Sequence, residues 1–154
     1  MQQNTDIQRA FTSQLFLSAR IWRKLIDEVL VDHGISEACA APLLWISRLG
    51  GGVRQTVLAD NIGIESPSLV RLLDQLEALD MVIRKDDPTD RRAKGLWLTD
   101  AGVEMAARIE ALLDRERARV LADVSSDDLD TAVRVLMAFR ESCSDMLLNG
   151  SKKD

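Results

Sequence analysis

At 154 residues, with 46% hydrophobic and 29% charged side chains, the chain has the size and composition of one globular domain with room for a real core. No apolar run approaches the roughly 18–20 residues that span a bilayer, and Met1-Gln2-Gln3-Asn4-Thr5-Asp6 carries no basic stretch leading into an apolar one, so a cytoplasmic protein without membrane contact is expected. A formal net charge of −5 argues mildly against nucleic-acid binding, and two distant cysteines, Cys39 and Cys143, predict buried thiols rather than a disulfide framework.

In chain order, Ile7, Phe11, Leu15, Trp22, Leu25 and Val29 recur at helical steps, predicting one long amphipathic helix over residues 7–31, ended by Asp32-His33-Gly34. A second helix is expected from about Ser36 to Leu49. Pro42 sits awkwardly inside it, so the helix either starts late or bends there. Gly50-Gly51-Gly52 breaks the chain. A short helix over residues 55–61 follows, with Leu58 and Ile62 inward and Asn61-Ile62-Gly63-Ile64 as a turn. Ser66 is read as the N-cap of the next helix and Pro67 as its first residue, where proline's missing N–H costs nothing. That helix is expected to reach about Asp80 and to bury Leu69, Leu72, Leu73, Leu76 and Leu79. Ser68, Arg71, Gln75 and Ala78 fall on its opposite face.

Two short apolar runs, Met81-Val82-Ile83 and Leu96-Trp97-Leu98, then flank the turn-former Asp87-Pro88-Thr89-Asp90-Arg91-Arg92-Ala93-Lys94, the pattern of a two-stranded hairpin. Thr99 is expected to cap a helix reaching about Ala122, with Val103, Ala106, Ile109, Leu112, Leu113 and Val120 on its apolar side. Ser125 or Ser126 opens a last helix through Leu148, with Leu129, Val133, Leu136, Met137, Cys143 and Leu147 as its apolar residues. The terminal helices have wide apolar faces that a monomer would leave wet, which predicts a two-fold homodimer; the alternative is that they pack on the same chain's core.

A helix followed at once by a hairpin with arginines at its tip is the layout of a winged helix-turn-helix. The fold expected is therefore mainly α with a small β-hairpin: a winged lobe over residues 36–98, a connecting helix over 99–122, and dimerisation helices over 7–33 and 123–148 of a single 154-residue domain. Between Arg48 and Trp97 eight cations balance eight carboxylates, so the excess negative charge lies in the flanks. What matters for DNA is the face that the cations occupy. Arg71 can donate two hydrogen bonds to a guanine edge, Pro67 can touch a thymine methyl, and Ser68 can reach a base or phosphate, with Gln75 farther along the same face. Arg92 at the wing tip suits a narrow A·T-rich minor groove, with Asp90 two residues earlier to orient its guanidinium. Arg84, Arg91 and Lys94 are then expected at phosphates, which position without specifying sequence.

Residues 62–77 together with residues 87–94 and Leu98-Thr99 resemble the MarR family, and Arg20-Ile21-Trp22-Arg23 with Leu25-Ile26-Asp27 brings the resemblance nearest to SlyA-type regulators. It covers most of the chain. It implies a homodimeric transcription factor on double-stranded, pseudo-palindromic, A·T-rich operator DNA. In the family, residues matching Pro67, Ser68 and Arg71 meet the major groove, and one matching Arg92, supported by one matching Asp90, enters the minor groove. The resemblance also implies a small aromatic or phenolic acid as effector. Arg20 matches a pocket arginine that can pair with its carboxylate, and Trp22 and Trp45 are candidates to line the cleft; both tryptophans equally suit a plain core role. Two departures stand out. Arg54 is a poor N-cap, and Ala38-Cys39-Ala40-Ala41-Pro42 replaces bulkier or polar side chains, implying either no salicylate-like ligand or a roomier, more apolar pocket.

Enzyme chemistry finds little to work with. There is no glycine-rich phosphate loop, no Ser/His/Asp or Cys/His spacing and no tyrosine, so no catalytic residue is assigned. The single histidine, His33, reads as a helix-capping or surface residue. With two distant cysteines it lacks the spacing of a metal site, so neither metal nor cofactor is expected. The rival from another class is a winged-helix protein-interaction module that binds no DNA, which the acidic pI of about 5.0 would suit.

Overall fold

The computed structural model describes residues 2–86 and 94–150. The chain runs α1 (Gln2–Val31), α2 (Glu37–Leu49), β1 (Val53–Arg54), α3 (Gln55–Ile62), α4 (Ser66–Ala78), β2 (Val82–Asp86), β3 (Lys94–Leu98), α5 (Asp100–Val120) and α6 (Ser126–Gly150). It divides into two compact units, Met1–Asp114 and Arg115–Asp154. No described helix is long and apolar enough to cross a membrane.

The first unit holds the core. Ile26 and Leu30 of α1 meet Leu43, Leu44 and Ile46 of α2, Leu58 of α3, Leu69, Leu73 and Leu76 of α4, Val82 and Leu96 of the sheet, and Ala106, Ile109 and Leu113 of α5. His33 sits at the end of α1, its Nδ1 2.9 Å from the Val29 carbonyl, the helix-end position expected of it. Helix α2 begins where Ser36 Oγ accepts from the Cys39 amide at 3.2 Å, and it closes on Gly50 in the left-handed region. The helix continues through Pro42. Proline there deprives only the carbonyl four residues back, that of the exposed residue Ala38 in the first turn, while its ring is fully buried.

The expected two-stranded hairpin is part of a three-stranded antiparallel sheet in the order β1-β3-β2. Val53 pairs with Leu96 and Arg54 with Gly95, whereas Val82 to Asp86 pair with Leu98 to Lys94. A strand of two residues has no periodicity to read, so β1 is invisible in the sequence. The Gly50-Gly51-Gly52 break serves this sheet directly. A Cβ on Gly51 would lie 2.5 Å from the Trp97 ring, so the indole of the central strand packs flat on bare backbone.

Helix α3 starts at Gln55 without a side-chain cap, as the poor capping character of Arg54 foretells. Helix α4 corrects two expectations. Glu65 occupies the cap position and makes no side-chain cap bond, so Ser66 is the first helical residue. The helix also stops at Ala78, which leaves Leu79 60% exposed instead of buried; Asp80 then takes a left-handed φ of 54° and turns the chain into β2. At the start of α5, Thr99 caps as expected, its Oγ1 accepting from the Gly102 amide at 3.0 Å. Val103 and Val120, expected inward, are exposed.

In the second unit, Ser125 is the residue that caps α6. Its hydroxyl accepts from the Asp128 amide at 3.1 Å and donates to the Asp128 carboxylate at 2.7 Å. No residue of α6 is buried in the single chain. Val133, Leu136, Met137 and Leu147 (73% exposed) all face solvent, and so does Cys143. The expectation of buried thiols is thus corrected: Cys39 is only partly buried and Cys143 is exposed, because the helix that carries Cys143 buries nothing within one copy.

Candidate nucleic-acid interface

Helix α4 separates its two faces cleanly. Leu69, Leu73 and Leu76 anchor it in the core, and the same turns present Pro67, Ser68, Arg71 and Gln75 to solvent. Its hydrophobic side is built from leucines at steps of four and three, so the polar side must face out. Arg71 is exposed and has no ion-pair partner among the described residues. Gln75 is exposed but also reaches inward, its Oε1 3.7 Å from the Cys39 Sγ of α2.

The wing strands stand beside this helix. Lys94 opens β3, exposed, opposite Asp86 at the end of β2. The Lys85 ammonium lies 5.8 Å from the centre of the Trp97 ring, a cation–π contact that fixes one strand's side chain on its neighbour. Asp90, Arg91 and Arg92 lie outside the described residues.

Arg84, expected at a phosphate, is engaged within the lobe in the free chain. Its backbone amide donates to Glu77 Oε1 at 3.2 Å, its guanidinium binds Glu77 Oε2, and its other terminal nitrogen meets Asp74 Oδ1 at 2.9 Å. The side chain is 23% exposed. Both terminal nitrogens of the fork expected at a DNA phosphate thus have a carboxylate partner on α4. Asp74 and Glu77, three residues apart and therefore on one helical face, escaped the sequence reading because nothing local says that a strand arginine returns to them.

Among the ligand candidates, Arg20 lines an open cavity of about 400 Å³ together with Arg23, Lys24, Asp27, Ser36 and Ala38. Trp22 and Trp45 are not among its lining residues; both are partly buried against the core. Trp45 also carries the Arg48 guanidinium 5.6 Å from its ring centre, and Arg48 is held by both carboxylate oxygens of Glu110 at 2.9 and 3.1 Å. Among the described residues no group of three or more His, Cys, Asp or Glu is placed to hold a metal ion.

Comparison with known proteins gives a consistent answer. A family model described as the MarR family matches residues 33–93, the stretch from just after α1 to just before β3. The crystal structure of transcriptional regulator PA3341 superposes with a TM-score of 0.82 at 32% identity, covering 88% of this chain and 98% of that one. A MarR family transcriptional regulator from Silicibacter pomeroyi matches with a TM-score of 0.81 at 23% identity, over 88% of this chain and 90% of that one. The transcriptional repressor CouR, solved on a 23-mer DNA duplex, matches with a TM-score of 0.74 at 25% identity, over 88% and 95%. CouR from Rhodococcus jostii RHA1 is also solved with p-coumaroyl-CoA; that structure matches with a TM-score of 0.74 at 23% identity, over 81% and 87%.

Proposed function

This chain belongs to the MarR family of transcriptional regulators, and from that premise we propose that it is a homodimeric, sequence-specific regulator of SlyA type reading a pseudo-palindromic, A·T-rich operator. The observation that carries the reading is the solvent face of α4. Pro67, Ser68 and Arg71 project from the first turns of a helix whose other side is locked into the core, and Arg71 is unpaired among the described residues. A helix seated this way enters the major groove by its N-terminal end, and Arg71 reads a guanine while Pro67 and Ser68 contact neighbouring positions. Arg92, oriented by Asp90, enters the flanking minor groove, and Arg91 and Lys94 meet phosphates. The relative CouR, bound to a DNA duplex, supports the same use of the fold.

The test is fluorescence anisotropy of a duplex from the gene's own upstream region against a shuffled duplex, over a salt series. Tight binding to the upstream duplex alone, weakening steeply with salt, is the expected result. Arg71→Ala should then cost about 1–3 kcal/mol and relax base preference at one position of each half-site. Absence of binding to either duplex at low salt would shift the assignment to a protein-interaction module.

The cavity beside Arg20 supports a reading of effector control. Three cations and one carboxylate line it, and its volume of about 400 Å³ suits a small aromatic acid whose carboxylate pairs with Arg20. A ligand seated there favours one placement of the DNA-reading lobes and releases operators that need another. The p-coumaroyl-CoA solved with CouR shares only the aromatic group with such an effector, since its acyl carboxylate is tied up as a thioester. A hydroxybenzoate titrated against the operator complex should lower affinity, and Arg20→Ala should abolish that response while leaving effector-free DNA binding intact. Equal sensitivity of both proteins would remove Arg20 from the site.

A further inference from the structure

Resting on the DNA-binding reading above, we propose that Arg84 is a positioning residue: with Glu77 and Asp74 it braces wing strand β2 against recognition helix α4, and it makes no phosphate contact of its own. Three bonds converge on one residue. The Arg84 amide and guanidinium both engage Glu77, and the second guanidinium nitrogen takes Asp74 at 2.9 Å. Strand β2 is an outer strand of the sheet, and alternate amides of an outer strand point away from their partner. The one at Arg84 is claimed by a carboxylate of α4, so backbone as well as side chain is tied to the helix. Glu77 is itself half-buried, which makes the contact less open to solvent competition than a surface pair, whereas Asp74, 60% exposed, adds direction more than strength.

The geometry has an electrostatic consequence. Asp74 and Glu77 lie on the helix that must approach a polyanion, and unpaired they would repel it. Arg84 offsets both charges from behind while holding the hairpin at a fixed angle to α4. Helix and wing then meet adjacent grooves as one rigid piece, so less ordering is left to occur on binding.

Brace and phosphate contact predict opposite signs for one substitution. If Arg84 were a phosphate ligand, Glu77→Gln would release it and remove a repelling charge, and binding would tighten. As a brace, Glu77→Gln should weaken operator binding roughly tenfold despite the lost negative charge. The double variant Glu77→Gln/Arg84→Ala should bind no more weakly than Arg84→Ala alone, because both remove the same contact. Salt dependence should be unchanged throughout. Full-length proteins are compared by anisotropy on the upstream duplex at a temperature where circular dichroism shows each variant folded. Hydrogen exchange on the free proteins provides a second readout: Glu77→Gln should speed exchange at the Arg84 amide and leave the Leu43 and Ile46 amides of α2 unchanged. Tighter or unaltered binding by Glu77→Gln, an additive double variant, or a salt slope for Arg84→Ala lower by about one would overturn the proposal. A wild-type protein that binds no DNA fails the regulator reading before any variant is compared, and hydrogen exchange alone then decides whether the brace exists.

Discussion

Leu136→Asp is expected to leave a folded protein that no longer dimerises and that binds its operator about 10²- to 10⁴-fold more weakly than wild type. The argument starts from α6, a 25-residue helix with no buried residue in the single chain. Val133, Leu136, Met137, Met146 and Leu148 stand exposed along it, and Phe16 of α1 is 77% exposed. Apolar surface on this scale seldom remains wet, and a second copy of the same chain is the partner that closed two-fold symmetry supplies. Because Leu136 already faces solvent, a carboxylate there costs the isolated chain little. In the proposed homodimer, with α6 at its interface, the same carboxylate would be taken out of water without a partner, at a cost of several kcal/mol. Losing the dimer means losing the second half-site, and with it the effective concentration that makes the second recognition helix bind. Light scattering gives the mass and anisotropy the affinity. A Leu136→Asp protein that stays dimeric with undiminished affinity would place the dimer contact elsewhere.

Most of the architecture could be read from residue spacing because its helices are long and strongly periodic. The stripe Leu69, Leu73 and Leu76 and the run Ala106, Ile109 and Leu113 are buried where their spacing put them. Helix ends were harder, since they depend on backbone turns rather than on pattern. Leu79 continues the α4 stripe in sequence, yet the chain has already left the helix at Ala78 and Asp80 has turned it. Strand β1 is two residues long and exists only because β3 offers it an edge. Pro42 illustrates the opposite case, a residue expected to delay or bend the helix but whose missing bond falls on a solvent-exposed first turn.

The candidate interface was legible on α4 for the same periodic reason. Pro67, Ser68, Arg71 and Gln75 had to face out once the leucines faced in. Charge alone could not assign Arg84. A basic residue in a wing strand reads as a phosphate contact, and only the folded arrangement brings it to Glu77 and Asp74. Trp22 and Trp45 show a parallel limit. Large aromatic side chains suit a ligand cleft and a core equally well, and here both pack against the core while the cavity beside Arg20 is lined by charged and small residues.

Gly102→Ala, the second large effect, runs against the ordinary rule. Within a helix, alanine is favoured over glycine by roughly 1 kcal/mol, so this substitution in the first turn of α5 would normally stabilise. At Gly102 it should instead cost about 2–4 kcal/mol and lower the melting temperature by roughly 5–10 °C. A Cβ built on Gly102 falls 2.0 Å from the Met81 carbonyl oxygen, a backbone atom with no rotamer to escape into. That oxygen is itself held, accepting from the Thr99 amide at 3.1 Å. Thr99 adds a further tie, donating through Oγ1 to the Asp80 carbonyl at 2.6 Å while accepting from the Gly102 amide. The turn out of α4 and the start of α5 are thus laced together at one point, and a methyl group there has to break a cap, move Met81, or both. Moving Met81 displaces the first residue before β2, so the variant should also lose operator affinity at temperatures where it remains folded. Gly150→Ala, where no atom lies within 4 Å of the added carbon, is the matched control and should melt with wild type. A Gly102→Ala protein as stable as that control would mean that α5 can slide from β2 without loss, and that the contact between its first turn and Met81 does not hold the lobe together.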